Sequence, residues 1–325
     1  MQAIFELAAD NLISPIILSF ALGLLASLAR SDLTIPEAVA KGMSIYLLFA
    51  IGFKGGASVA AHGVDATLVL ALIAGLGLSF VLPFMAFALL RLLTRMTVVD
   101  AAAVAAHYGS ISIVTFVAAT SVLEGNGISS EGYMVAVAAV MEAPAILSAL
   151  WLVSRFGNTT RTEPGLMREI LLNGSIVLLV GAFFIGAVTG EKGLAEIAPF
   201  IVTPFKGVLC LFLLDMGLVA GRGLRGARGV LGLGAVGFAM LMPLVGASLG
   251  LVLGAGIGLS MGGTVLMMVL AASASYIAVP AAMRVALPEA DPAIYLTLSL
   301  GVTFPFNLTL GIPLYLAAAQ VLSGG

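Results

Sequence analysis

The residues able to do chemistry in this chain are few, and they sit inside apolar runs. Glu142, Asp215, Lys54 and His107 are the ionisable groups placed there. An ionisable residue inside an apolar span is a functional candidate by default, because burying it is costly. Two hydroxyl-rich stretches accompany them: Gly109-Ser110-Ile111-Ser112, with Thr115 after it, and Ser273-Ala274-Ser275-Tyr276. These types bind rather than react. Hydroxyls and free backbone amides suit a small anion, whereas a carboxylate, threonine hydroxyls and backbone carbonyls suit a cation. Glu142, Thr115 and Thr303 are therefore the candidate cation ligands, and the eight residues of the two stretches are the candidate anion site. Plainer readings stand beside these. Glu142 has a second reading as a neutral buried acid, Lys54 is better read as a snorkelling surface group, and His107 is equally read as a hydrogen-bonded packing residue. Asp215 would bond unwound backbone or pair with a basic group. Asp100 reads as the cap of the fourth apolar run.

Catalytic sets are missing from the sequence. Two histidines, the single Cys210 and scattered serines make no triad and no metal site. There is no Gly-rich loop ending in Lys-Ser or Lys-Thr, so ATP drive is not expected from this chain. Neither enzyme activity nor a cofactor is expected, and the net charge of −2 argues against nucleic acid.

The elements that must position these groups follow from composition. The 325 residues are 61% hydrophobic and 9% charged, against roughly 25% charged in soluble domains. The solvent must be lipid. Ten apolar runs long enough to span occur at 12–29, 36–60, 66–90, 100–122, 131–154, 169–189, 199–221, 230–257, 264–286 and 291–320. No basic leader or small-residue cleavage site precedes the first, which is expected to insert and stay. Arg30, Arg91, Arg95, Arg155, Arg161, Arg168, Arg222, Arg225, Arg228 and Arg284 all fall on one side of a ten-span count. That side is then cytoplasmic, and both termini lie on the non-cytoplasmic side of a cell (inner) membrane.

The halves 1–160 and 161–325 resemble each other at an offset of about 160–165 residues. Gly42, Gly52 and Gly56 of the second span match Gly207, Gly217 and Gly221 of the seventh; Met141-Glu142-Ala143-Pro144 matches Val302-Thr303-Phe304-Pro305. Five spans per half is an odd number, so the second half enters from the opposite side. Such 5+5 inverted repeats place a binding site at the midplane. Two spans look interrupted at corresponding places: His107–Phe116 and Ser273–Pro280. Ser110 and Ser112 are good N-cap types. Pro280 suits the first turn of a restarting helix, and Val279 before it is pushed out of helical conformation. Irregular backbone at that depth lines a cavity or is buried in protein. The alternative is two continuous helices whose serines bond back to their own turns.

In these residues the chain resembles the sodium-dependent bicarbonate transporter superfamily. The similarity runs nearly end to end. It includes Ile35-Pro36-Glu37-Ala38, Ile51-Gly52-Phe53-Lys54-Gly55-Gly56, Asp100-Ala101, Gly109-Ser110, Pro144-Ala145 and Ala271-Ala272-Ser273-Ala274-Ser275 with Pro280 and Arg284. It closes with Pro288, Pro292, Tyr295, Gly301, Thr303, Pro305 and Gly311-Ile312-Pro313-Leu314. The resemblance implies an all-α fold with core and gate domains and two broken, crossing helices. It also implies a homotrimer, Na⁺ as coupling ion, elevator-type movement and, in some relatives, a small regulatory protein of the PII type. The chain departs from the cyanobacterial pattern at the site. Tyr276 stands in place of an acid, Glu142 in place of Asp, Val279-Pro280-Ala281 in place of Gly-Pro-Pro, and Ile111-Ser112-Ile113 in place of a smaller, more polar run. The cavity is expected to be bulkier and less hydrophilic. The expected function is Na⁺-coupled uptake of a small anion, with bicarbonate as candidate. The competing expectations are another monocarboxylate or weak acid, proton-coupled through Glu142, and a membrane receptor that binds a solute without moving it.

Overall fold

Apolar runs of this length fold as helices because lipid offers no partner to backbone N–H and C=O groups. The computed structural model describes residues 13–63, 65–157, 172, 174–226 and 232–322. The boundary at 160/161, the apolar positions before 13, and Arg161, Arg168 and Arg228 lie outside the described residues. The helices are α1 (Pro15–Leu28), α2 (Glu37–His62), α3 (Ala66–Leu93), α4 (Val98–Gly109), α5 (Ile113–Gly125), α6 (Met134–Val140), α7 (Pro144–Phe156), α8 (Gly174–Ile201) and α9 (Phe205–Gly226). They continue with α10 (Leu233–Ile257), α11 (Met261–Ala272), α12 (Ala278–Ala286) and α13 (Pro292–Leu322). Eight helical stretches among the described residues are long and apolar enough to cross a membrane, with α1 and α11 as shorter apolar helices. The protein is a multi-pass membrane protein.

Three of the ten sequence runs are split. The fourth becomes α4 and α5, the ninth α11 and α12, and the fifth α6 and α7. The first two splits fall where hydroxyls and Pro280 placed them. The third, at Met141–Ala143, replaces the continuous helix expected over 131–154, and it falls just before Pro144, which opens α7. Two further differences have local causes. The stretch after 189, expected as a loop, is helical to Ile201, turned off the preceding segment at Gly190, whose φ is 60°. Helix α4 starts at Val98 under the cap of Thr97, not Asp100. The Thr97 hydroxyl accepts from the Asp100 N–H at 3.1 Å and donates to its carboxylate at 2.7 Å.

The two interrupted helices are built alike. Helices α4 and α11 each have 12 residues, each begins after a hydroxyl cap (Thr97, Ser260), and each ends at a serine (Ser110, Ser273). Their starts, Val98 and Met261, are 163 residues apart.

Packing sorts the helices into two groups. Helices α1 and α9 pack together, as do α2 and α8. Helices α3, α4, α6 and α7 pack with one another, α5 packs on α11 and α13, and together with α10 these form the second group. Small residues let backbones touch in the first group. A Cβ on Gly52 would lie 2.6 Å from the Leu179 carbonyl oxygen, and one on Gly56 or Gly186 would strike the backbone of Phe183 or Phe53. The α1–α9 seam repeats this: Gly23 lies on Leu214, Gly217 on Phe20 and Gly221 on Ser27. Of the glycines read as repeat markers, Gly52 and Gly56 serve the seam of α2 on α8 and Gly217 and Gly221 that of α9 on α1, while Gly42 and Gly207 face open space.

Candidate functional site

A broken helix leaves N–H and C=O groups without partners, and in lipid each must be satisfied. At the α4/α5 break Ser110 and Ser112 take extended backbone, and the Ser112 hydroxyl caps α5 by accepting from the Thr115 N–H at 3.2 Å. The Ser112 N–H donates to the Ser273 hydroxyl at 2.9 Å, and the Ser275 N–H donates to the His107 carbonyl at 2.7 Å. These two bonds hold the breaks against each other. The ends of α4 and α11 and the starts of α5 and α12 therefore meet at one place. Pro280 sits in the first turn of α12, and the Ser275 hydroxyl accepts from the Val279 N–H at 3.4 Å.

Side chains from neighbouring helices satisfy two further carbonyls, and sequence reasoning missed them. Asn307 donates its amide to the Ala272 carbonyl at the end of α11 (3.0 Å), while its own oxygen accepts from the Tyr315 hydroxyl at 2.7 Å. The Ser79 hydroxyl donates to the Met141 carbonyl at the α6/α7 break, at 2.6 Å. An amide or hydroxyl deep in an apolar run is itself the signal, since it must find a partner, but its sequence does not say which break it serves.

A small cavity of about 10 Å³ lies at the crossing, lined by Leu48, Ile111, Ser112, Ile113, Glu142, Ser275, Tyr276, Ile277 and Ala278. It is room for about one water. Glu142, in the α6/α7 break, is buried and accepts from the Ser110 hydroxyl at 2.7 Å. Tyr276 is buried with its ring against Phe304 (centroids 5.2 Å apart). Its hydroxyl points toward Ser112 without reaching hydrogen-bond geometry. Of the anion candidates, Ile111, Ser112, Ser275 and Tyr276 line the cavity. Ser110 and Ser273 hold it together through their bonds, Ala274 is buried beside it, and Gly109 packs on Pro83 and Ala145.

The cation candidates separate. Glu142 lines the cavity, and the Thr115 hydroxyl, in the first turn of α5, is buried with no partner among the described residues. Thr303 is engaged elsewhere, 2.6 Å from the Tyr108 hydroxyl and donating to the Ala239 carbonyl at 2.6 Å. His107 contributes its backbone carbonyl to the crossing. Its ring stacks on Tyr295 with centroids 4.4 Å apart, and its Nδ1 bonds the Ala103 carbonyl at 2.7 Å. Asp215 is buried in α9, which runs unbroken across it; the basic group whose charge reaches it is Arg222, two turns on. Lys54 pairs with Glu124 at 3.4 Å, over the Phe205 ring, away from the crossing.

Among the described residues, no Lys, Arg or His side chain lines the crossing cavity. Its positive potential comes from the amide ends of α5 and α12 and its negative potential from Glu142 and the carbonyl ends of α4 and α11. Such a place accepts an anion and a cation side by side more readily than either alone. The model of one protein family matches residues 15–320. The chain belongs to the Na⁺-dependent bicarbonate transporter superfamily. A search of curated proteins finds no match.

Proposed function

We propose that the protein is a secondary active transporter that couples Na⁺ to the uptake of a small anion, bicarbonate being the candidate. The observation that carries this is the crossing, where two amide ends and one buried carboxylate line a single cavity beside the ends of α4 and α11. The anion sits on the amide ends with Ser112, Ser275 and Tyr276, and Na⁺ sits against Glu142 with Thr115. A cavity of about 10 Å³ is smaller than bicarbonate, so loading requires Tyr276 and the surrounding isoleucines to move apart.

Ten crossings are proposed, with α1 as the first and α11 plus α12 as the ninth, in two inverted halves. The equal-length α4 and α11 and the matching glycine seams support this. The group α1, α2, α8 and α9 is the proposed gate, and the rest is a core that slides as an elevator in a homotrimer. The walls supplied by Leu48, Ile111, Ile113, Ile277 and Ala278 favour a second reading, a short monocarboxylate with an apolar tail. A thermal-shift titration of the purified protein tests the pairing of ions. Na⁺ and the anion together are expected to raise Tm by more than the two separate shifts added. Strictly additive shifts would contradict coupling, and acetate outperforming bicarbonate would select the second reading.

A further inference from the structure

A second cavity, near Lys54, lies outside the crossing. It measures about 250 Å³, and its lining includes Lys54 and Ser58 of α2, Thr120 and Glu124 of α5, and Phe205 of α9. It follows directly from the crossing cavity on the same two helix faces. Leu48 and Ile113 line the small cavity; Ile51 and Lys54, one and two turns along α2, and Phe116 and Thr120, one and two turns along α5, line the large one. Along these two helices Ile51 and Phe116 are the lining residues nearest the small cavity. It opens at the ends of the helices opposite the arginines, where α5 finishes and α9 begins.

Its one cationic side chain among the described residues, Lys54, is held in an exchangeable way. The Lys54 ammonium is 3.4 Å from the Glu124 carboxylate and 5.5 Å from the Phe205 ring centre, with the two charged side chains 34% and 48% exposed. An ion pair this exposed is weak, while the ring keeps the ammonium in place when its carboxylate partner leaves. The other acid of the lining, Glu131, is occupied: it accepts from the Ser260 N–H at 2.6 Å and from the Ser260 hydroxyl at 2.9 Å. Lys54 belongs to the proposed gate and Glu124 to the proposed core, so the pair also ties the two groups together.

We propose that this cavity is a loading site for small carboxylate-type oxyanions, in which the anion displaces Glu124 from Lys54 before passing between Ile51 and Phe116 to the crossing. The inference rests on the transport reading for its direction of travel, but anion binding at Lys54 is tested without transport. In a Cys210→Ala background, Thr120→Cys is modified with membrane-impermeant thiosulfonates, one anionic and one cationic. The ratio of anionic to cationic rate is expected to fall about tenfold with Lys54→Gln and to rise with Glu124→Gln, since one charge-assisted contact corresponds to roughly a tenfold change. Bicarbonate or acetate at millimolar concentration is expected to slow modification, and to lose that effect in Lys54→Gln. A ratio indifferent to Lys54, or no slowing by either anion in a protein that keeps its Tm, would overturn the loading site. Slowing by anions without any Na⁺-dependent uptake would uphold the loading site and sink the transport reading instead.

Discussion

Glu142→Gln separates the cation from the anion. The carboxylate is buried in the α6/α7 break, held at 2.7 Å by the Ser110 hydroxyl, and it faces the crossing cavity. Glutamine keeps the shape and an oxygen that can accept from Ser110, while the charge and one oxygen are removed. A full charge about 3 Å from Na⁺ is worth roughly 5 kcal/mol at an effective dielectric constant near 20. The wild type must also bury that charge, and glutamine retains one oxygen ligand, which together leave a net loss of about 2 kcal/mol. That corresponds to a roughly 30-fold rise in the Na⁺ concentration for half-maximal binding. The assay is Na⁺ titration of purified protein by intrinsic fluorescence of Trp151 or by thermal shift, at fixed bicarbonate. At saturating Na⁺ the half-saturating bicarbonate concentration should change less than threefold. A folded variant with an unchanged Na⁺ requirement would refute the role of Glu142 as a cation ligand.

Other substitutions test the supports of the site. Asn307→Ala frees the Ala272 carbonyl and the Tyr315 hydroxyl together, and should cost about 2–4 kcal/mol, against about 1 kcal/mol for Tyr315→Phe. Melting curves in detergent compare the two. Ser273→Ala leaves the Ser112 N–H unsatisfied and should abolish ion-induced stabilisation at near-normal expression, measured by thermal shift. Gly246→Val drives a side chain into the Ala271 backbone where α10 meets α11; a loss of folded yield is expected, seen by size-exclusion profile. Tyr276→Ala removes the largest side chain at the cavity and should relax anion selectivity toward longer monocarboxylates, measured by competition in uptake.

Eight membrane-length helices and the two expected breaks were legible because lipid imposes a simple rule: apolar length makes helix, and capping residues with proline mark where it stops. Ser112 and Pro280 carried that signal. The α6/α7 break was not read in advance, although Pro144 stood in view, because proline is tolerated within membrane helices when neighbours satisfy the freed carbonyl. Here the neighbour is Ser79, which lies 62 residues from Met141. The same long-range dependence hid Asn307. It also misplaced Thr303, whose match to Glu142 in the repeat does not carry over to its partners, Tyr108 and Ala239. Hydroxyls announce that they will bond, while tertiary packing decides to what.

The transport claim meets its most direct test in proteoliposomes. Labelled bicarbonate uptake should accelerate at least tenfold when an inward Na⁺ gradient is imposed, and the gradient's effect should shrink in Glu142→Gln. Uptake equal in Na⁺ and in choline, with no competition by unlabelled bicarbonate, would contradict Na⁺-coupled anion transport by this protein.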